Sequence, residues 1–253
     1  MTYALFLVIF LATPIVILLG LLRRSLRRAH LVWIGLLMGV ALVYTTPWDN
    51  YLVANHIWWY HPELVTGITI GWVPIEEYTF FLLQPLMLEL WYLFTSRRIP
   101  DVEHLADRPH IRLMSVLGVG VLWLAAILLL AAGWVPGTYL ALMLAWGLPP
   151  VMLQLGTGAD ILWARRRRVL LTILPTTLYL ATADALAING GTWTINPARS
   201  LGVMIGGVLP LEELLFFLLT NTLITFAMTL LSEVSMRSRV RIMVAQMRAF
   251  LAA

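Results

Sequence analysis

The chain has 253 residues, of which 60% are hydrophobic and only 12% are charged, and its formal net charge is +4 at pH 7. This composition excludes an ordinary soluble domain and is typical of an integral membrane protein. There is no cysteine, which excludes a disulfide framework and a thiolate metal site. All 17 basic residues are arginine, and without lysine a Schiff base to retinal is excluded as well.

Seven apolar runs are each long enough to cross a bilayer, which takes roughly 20 helical residues. They predict an all-α integral membrane protein with seven transmembrane helices. In chain order the runs are Tyr3–Leu22, Leu31–Trp48, Val65–Phe94, Leu113–Trp134, Thr138–Trp163, Val169–Ile188 and Leu201–Leu231. Positive charges follow the first run instead of preceding it, so we expect a retained helix and not a signal peptide.

Sixteen of the 17 arginines lie in the loops after predicted helices 1, 3 and 5 or after helix 7, and only Arg199 lies in an opposite loop. The positive-inside rule therefore predicts a multi-pass protein of the cell membrane, with the N-terminus outside and the C-terminus in the cytoplasm. The arginine-containing tail after helix 7 fits either a basic helix lying on the cytoplasmic leaflet or a frayed end.

Two stretches of the chain are near copies of each other. The first reads Pro-Ile-Glu-Glu-Tyr-Thr-Phe-Phe from Pro74, and the second reads Pro-Leu-Glu-Glu-Leu-Leu-Phe-Phe from Pro210. Three other pairs hold corresponding places, namely Asp49 and Asp184, Trp58 and Trp193, and Gly71 and Gly207. This predicts that helices 1–3 and 5–7 form parallel repeats about an axis along the membrane normal.

The single connecting helix gives both repeats the same orientation, so the two motifs should face each other at one depth. We treat the chain as one transmembrane domain. Its predicted parts are repeat 1 at about 1–96, the connector helix at about 112–134, repeat 2 at about 137–232 and a basic tail at 233–253.

Each motif places two adjacent glutamates in an apolar run, Glu76 with Glu77 and Glu212 with Glu213. An ordinary helix start, with proline first and acids in the first turn, is the alternative. Because both runs exceed the length of a span, we expect the proline to kink or break the helix and the glutamates to be buried. Buried neighbouring carboxyls cannot both ionise cheaply, so at least one should keep its proton and act as a general acid.

Aromatic residues share the helical face of the second glutamate in each motif. Ring faces attract cations, most strongly in a dry site, so a proton donor beside them suits chemistry that forms a carbocation. The residues that we expect to contact the substrate or stabilise the cation are Phe80, Phe81, Phe216, Phe217, Gln84 and Asn221.

Other polar and aromatic residues have two readings. Asp49 and Asp184 can be interpreted in two ways: they hold or relay the proton, or they are solvated residues near helix ends. The segment 58–60, Trp-Trp-Tyr, is expected to form an interfacial aromatic belt, and Glu89 is expected to be a packing or helix-end group. A metal site around His104 and His110 is an alternative to a solvated loop, and we expect no metal.

These residues resemble the membrane-integral lycopene cyclases of bacteria, archaea and fungi, in which two homologous halves occur separately or fused. The resemblance covers nearly the whole chain. The motifs that carry it are Pro74-Ile75-Glu76-Glu77, Pro210-Leu211-Glu212-Glu213, Pro47-Trp48-Asp49-Asn50 and Thr182-Ala183-Asp184. It implies cofactor-independent cyclisation of the linear ends of lycopene, to γ- or β-carotene, by protonation, ring closure through a carbocation and loss of a proton.

The same resemblance implies catalytic roles for the four motif glutamates and, less directly, for Asp49 and Asp184. It does not say which glutamate of each pair donates the proton. The implied partners are lycopene or a related linear carotenoid and membrane lipid, with no nucleic acid, and the oligomeric state is left open. A proton-coupled small-solute transporter remains the alternative, because three-plus-one-plus-three helix repeats with buried acids also suit that class.

Overall fold

The structure is a computed structural model that describes residues 1–99 and 106–233, together with Met236. Its seven long helices are α1 (Tyr3–Leu22), α2 (Arg28–Ala54), α3 (Ile75–Ser96), α4 (Pro109–Ala131), α5 (Thr138–Ala164), α6 (Arg166–Asn189) and α7 (Leu211–Ser232). A π-helical turn, Val8–Ala12, lies within α1. The predicted basic tail beyond Glu233, apart from Met236, and His104 lie outside the described residues.

Within those ranges, all of the seven helices except α3 are long and apolar enough to cross a membrane, which confirms the prediction of an all-α membrane protein. Helix α3 is less apolar because it carries Glu76, Glu77, Gln84 and Glu89. It lies in the middle of the bundle, packed against α1, α2, α6 and α7, so protein instead of lipid surrounds its polar groups. Helix α4 packs against α5 and is otherwise exposed.

Short strands connect the helices at one end of the bundle. Strand β1 (Trp58–Tyr60) pairs antiparallel with β4 (Trp193–Ile195), which joins the loop after α2 to the loop after α6. Two small hairpins lead into helices: β2 (Thr69–Ile70) with β3 (Val73–Pro74) into α3, and β5 (Met204–Ile205) with β6 (Leu209–Pro210) into α7. Short 3-10 helices lie at Pro62–Leu64 and Val135–Gly137.

The prediction that Val65–Phe94 and Leu201–Leu231 are continuous spans is wrong in both cases. The first ten residues of each run form the loop and hairpin, and the helix begins directly after the proline. Pro74 and Pro210 are N-caps, so they start their helices and do not kink them. Proline suits this place because the fixed φ fits a helix start and the missing N–H has no partner to lose there.

The first hairpin is held against α2 through the side chain of Asn50. Its amide oxygen accepts a hydrogen bond of 2.8 Å from the backbone N–H of Trp72, and its amide nitrogen donates to the hydroxyl of Tyr78 at 2.9 Å. Gly71 has a φ of +66°, and a Cβ there would collide with Asn50. The glycine therefore permits both the turn and the close approach to α2.

Candidate active site

A cavity of about 490 Å³ lies between the two halves of the chain. Four helices each place one carboxyl in its wall, and these are Asp49 of α2, Glu77 of α3, Asp184 of α6 and Glu213 of α7. The rest of the wall is almost wholly aromatic, with Tyr3, Phe6, Trp58, Tyr60, Phe80, Tyr139, Trp193, Phe216 and Phe217 beside Ile195. Both motifs therefore contribute to a single chamber.

The two glutamates of each motif point to different places. Glu77 and Glu213 line the cavity, whereas Glu76 and Glu212 turn toward the loop that precedes their own helix. The carboxylate of Glu76 accepts hydrogen bonds from the backbone N–H of Thr66 at 2.6 Å and from its hydroxyl at 3.1 Å. Glu212 accepts one from the N–H of Leu201 at 2.6 Å. The first glutamate of each pair thus secures the loop, and the second faces the chamber.

Glu77 is surrounded by hydroxyl donors. The same oxygen, Oε2, accepts hydrogen bonds from Tyr3 at 2.6 Å and from Tyr60 at 2.9 Å. The indole N–H of Trp58 donates to the Tyr60 hydroxyl at 3.1 Å, which orients that phenol. Burial, and then the nearby Glu77 carboxylate, raise the pKa of Tyr60 well above its usual value, so this phenol remains a donor.

Glu213 has fewer donors. The hydroxyl of Tyr139 is its hydrogen-bonding neighbour, just as Tyr3 is for Glu77. The third residue of β4 is Ile195, whereas the third residue of β1 is Tyr60, so the second tyrosine is missing here. Among the described residues, Oε1 of Glu213 has no hydrogen-bond partner. The two cavity glutamates therefore occupy equivalent places with unequal surroundings.

The two aspartates lie inside the protein. Asp49 is 1% exposed and Asp184 is 2% exposed, each five residues before the end of its helix. The indole of Trp193 donates a 2.9 Å hydrogen bond to Asp184, and Oδ2 of each aspartate has no partner in the described part of the chain. The alternative that these are solvated helix-end residues is wrong, because the paired loops β1 and β4 cover that end of the bundle.

The expected aromatic belt is also wrong for two of its three residues. Trp58 and Tyr60 line the cavity, and only Trp59 is exposed. Strands alternate their side chains, so the middle residue of β1 points away from the chamber while its neighbours point in. The ring of Tyr139 lies 5.4 Å from that of Trp58, and Tyr3 lies 4.9 Å from Trp193, so each tyrosine packs on the tryptophan of the other half.

The remaining expected contact residues divide into two groups. Phe80, Phe216 and Phe217 line the cavity, but Phe81 faces a neighbouring cavity. Gln84 and Asn221 lie deeper, where they join three helices. The amide nitrogen of Gln84 donates to Asn221 and Thr220, both at 3.0 Å, and the amide nitrogen of Asn221 donates to Thr177 at 3.1 Å. Their amides are engaged with each other and neither lines the chamber, although Gln84 borders the neighbouring cavity.

Sequence reasoning missed Tyr3 and Tyr139. They stand 136 residues apart, as do Glu77 and Glu213, so the repeat itself contained the signal. Their position near the start of an apolar helix concealed it. Glu89, expected to be a packing or helix-end group, is fully buried in α3, and neither of its carboxyl oxygens has a partner in the described ranges. It does not line the chamber.

The family described as "Lycopene cyclase" matches this chain over residues 1–95 and 136–231. Lycopene beta-cyclase of Halobacterium salinarum is 36% identical over 94% of this chain and 99% of its own length. The bifunctional lycopene cyclase/phytoene synthases of Podospora anserina and Sporisorium reilianum are 36% and 39% identical, over 81% and 80% of this chain.

The chain covers only 36% and 30% of those two fungal proteins. No solved structure matches it. The comparisons give no support to the transporter alternative, since the family and the relatives named here are lycopene cyclases. The family match covers well over half of the residues and falls on the two halves that carry the cavity carboxyls. The chain therefore belongs to the lycopene cyclase family.

Proposed function

We propose that this chain cyclises the linear end groups of lycopene, or of a closely related linear carotenoid, without redox chemistry. The observation that carries the proposal is that Glu77 and Glu213 line one aromatic chamber. Relatives of the chain are named lycopene beta-cyclases and lycopene cyclase/phytoene synthases. A buried pair of acids beside ring faces suits a reaction that begins with protonation and passes through a cation.

The unequal surroundings assign the two roles. Glu77 accepts two tyrosine hydrogen bonds, and such bonds stabilise a carboxylate, so it suits the base. Glu213 has Ile195 where Glu77 has a tyrosine and keeps one buried oxygen without a partner in the described residues. A buried carboxyl with fewer donors is more stable when protonated, so Glu213 suits the acid.

The reaction then follows with all atoms accounted for. Glu213 gives its proton to the terminal double bond of the substrate, which forms a C–H bond and leaves a tertiary cation. A nearby double bond of the substrate attacks that cation, closes the ring and moves the positive charge to a ring carbon. Glu77 removes a proton from the neighbouring carbon, and the electrons of that C–H bond become the ring double bond. The product is an isomer of the substrate, and one proton has moved from Glu213 to Glu77.

The aromatic wall protects the cation between these steps. The rings of Phe80 and Phe217 pack edge to face with centroids 6.3 Å apart, and the ring of Phe216 lies 5.4 Å from that of Phe217. Their faces stabilise positive charge, and their bulk keeps out water that would convert the cation to an alcohol. Asp49 and Asp184 also line the chamber. We assign them the return of the proton from Glu77 to Glu213 before the next turnover.

The overall arrangement is part of the proposal. We infer that residues of about 1–96 and 137–232 are parallel repeats, that the helix at about 112–134 connects them, and that the N-terminus lies outside. The equivalent contacts of Tyr3 and Tyr139, and the family match to 1–95 and 136–231, support this.

Because the chain has no cysteine, single introduced cysteines can report the orientation directly. Exposed positions suit the test: Val135→Cys and Asn189→Cys should react with an impermeant reagent from outside, and Arg167→Cys only after permeabilisation. Opposite accessibility of Val135→Cys and Asn189→Cys would contradict the parallel arrangement.

The activity itself is tested by expressing the chain in a host that accumulates lycopene. We expect the red pigment to turn orange-yellow and chromatography to show cyclic carotenoids of unchanged mass. Purified protein in lipid vesicles should do the same without nucleotide, flavin or reductant. Lycopene recovered unchanged from membranes that contain the inserted protein would overturn the proposal.

A further inference from the structure

A second cavity of about 800 Å³ adjoins the active site between α2, α3, α5 and α7. Its wall is mostly apolar and includes Val40, Ala41, Phe81, Pro150, Leu223 and Ala227. Phe216 belongs to the walls of both cavities, so the two spaces adjoin at this residue. We call this space the lateral cavity.

A continuous series of stacked rings runs along the lateral cavity to the active site. Tyr44 stacks on Trp146 with centroids 5.4 Å apart, Trp146 on Trp48 at 4.4 Å, and Trp48 on Phe216 at 6.0 Å. The interplanar angles are 24°, 17° and 4°, so the faces are nearly parallel. Tyr44 is 42% exposed at the outer surface of the bundle. The rings therefore reach from the lipid-facing surface to the chamber.

The other half of the chain has a cavity at the equivalent place without this connection. It measures about 610 Å³, and its wall includes Pro14, Met87 and Tyr179, the counterparts of Pro150, Leu223 and Tyr44. None of its wall residues borders the active site. Ala183 occupies the position that corresponds to Trp48. The rings on this side run from Tyr179 through Phe10 to Phe6, and they meet at interplanar angles of 64° and 49° instead of stacking face to face.

The two phenylalanines at the cavity boundaries differ in the same way. Phe80, the counterpart of Phe216, is only 4% exposed and packs edge-on against Phe217. Phe216 is less buried and borders the lateral cavity. Of these two cavities in the described structure, the lateral cavity therefore shares a wall residue with the active site, and the cavity on the other side shares none.

We propose that the lateral cavity holds the conjugated chain of the carotenoid while its end group lies in the active site; this rests on the proposed function. The apolar wall matches the lack of polar groups in a conjugated chain, and the stacked rings give that wall a rigid aromatic side. From Phe216 to Ala227 along α7 the cavity extends over 11 helical rises, about 16 Å at ~1.5 Å each. The end group passes Phe216 and arrives beside Glu213.

This route has a consequence for a substrate with two linear ends. Since the proposed route leads through the lateral cavity, the second end enters only after the molecule has left and turned round. A carotenoid with one ring is therefore released as a free intermediate before the second cyclisation.

The test fills each of the two lateral spaces in turn. Leu223→Trp fills the lateral cavity, and Met87→Trp makes the same change at the equivalent position on the other side. Ala227→Phe and Leu18→Phe form a second, milder pair that narrows the same two cavities at positions that are not equivalent in the repeat. The readouts are membrane level of the protein, conversion of lycopene, and lycopene that co-purifies with each variant.

We expect Leu223→Trp and Ala227→Phe to lose at least tenfold in conversion and to retain little lycopene, while both changes on the other side stay within about twofold of the unchanged protein. Wild-type conversion by Leu223→Trp and Ala227→Phe variants, or equal loss on both sides at normal membrane levels, would overturn the lateral route alone. If the unchanged protein binds lycopene but never cyclises it, the proposed function fails. A Met87→Trp variant that does not reach the membrane is replaced by Leu18→Phe.

Discussion

Glu77 and Glu213 occupy equivalent positions in near-identical motifs, yet their neighbourhoods differ by one side chain. Glu77 accepts hydrogen bonds from Tyr3 and Tyr60, and Glu213 has Tyr139 but meets Ile195 where the second phenol would lie. Each hydrogen bond donated to a buried carboxylate favours its charged form. A duplicated motif can thus supply both an acid and a base when the residues around it diverge.

The same divergence separates the two lateral spaces. Trp48 continues a face-to-face stack of rings to the active site in one half. In the other half Ala183 takes its place, and the rings of Phe10 and Phe6 meet at tilted angles instead. The lateral cavity that adjoins the active site lies on the side of Glu213, the glutamate with fewer hydrogen-bond donors. Both differences agree with the proposal, in which the substrate end arrives first beside Glu213, the proposed acid.

The strongest test of this comparison is Glu213→Gln. The amide keeps the shape but has no acidic proton, and a positioned general acid contributes ~10²–10⁴-fold. We expect cyclisation to fall by about that factor with lycopene still bound, so the host stays red. The measurement is initial rate in lipid vesicles, with pigment bound to the purified protein as the second readout.

Glu89→Gln is the matched control for that change. Glu89 is a glutamate of a membrane helix that is as buried as Glu213 but lies outside the chamber. The variant should insert and cyclise within about threefold of the unchanged protein. A loss as large as that of Glu213→Gln would mean that buried carboxyls matter for folding and not for proton donation.

The corresponding change at the other glutamate, Glu77→Gln, should affect the last step of the reaction, the removal of a proton. The cation can still form, but its usual proton acceptor is absent, so we expect a rate loss at the lower end of the range for acid–base catalysis, about 10²-fold. The products should also change, with the ring double bond in another position or an alcohol from captured water. Chromatography with mass analysis distinguishes these. A Glu77→Gln variant with no product of any kind would assign the first protonation to Glu77 and reverse the comparison.

The sequence predicted the elements of this site better than their geometry. Burial of Glu76 and Glu213 followed from acids in apolar runs, and the repeat predicted that both motifs meet. Hydropathy could not locate the helix start, because the hairpin before Pro74 is itself apolar: Ile68 and Trp72 are exposed on it. Composition alone cannot distinguish the apolar residues of such a hairpin from those of a membrane-spanning helix.

Which glutamate faces the chamber was also beyond the sequence. Two adjacent helical residues point about 100° apart, and only the fold shows which of them meets the loop. Tyr60 could not be told from a belt residue, since its role depends on the pairing of β1 with β4 across more than 130 residues.

Exchanging the neighbours Tyr60 and Ile195 should make the hydrogen-bonding surroundings of Glu77 and Glu213 more alike. Tyr60→Phe removes one donor from Glu77, and hydrogen bonds to charged groups contribute about 1.5–3 kcal/mol. Because Tyr3 still donates to Glu77, we expect the lower end of that range, which is roughly tenfold slower cyclisation. Ile195→Tyr offers Glu213 the donor that it lacks and should slow protonation by a similar factor. Trp59→Phe, which changes an exposed residue of the same strand, is the control. A faster Ile195→Tyr variant would contradict the assignment of Glu213 as the acid.

The smallest effects should come from the glutamates that face away from the chamber. In Glu76→Gln the amide oxygen can still accept from the Thr66 N–H, but the charge is lost, so we expect about 1 kcal/mol less stability and cyclisation within about threefold of the unchanged protein. Glu212→Gln should cost less, because Glu212 accepts a single backbone hydrogen bond from Leu201. Thermal unfolding in detergent measures the change in stability, and initial rates in lipid vesicles measure the change in cyclisation. Because Glu76 and Glu77 are adjacent, comparison of their Gln variants separates the loop contact from the chemistry: a rate loss as large for Glu76→Gln as for Glu77→Gln, at equal stability, would place the base one residue earlier.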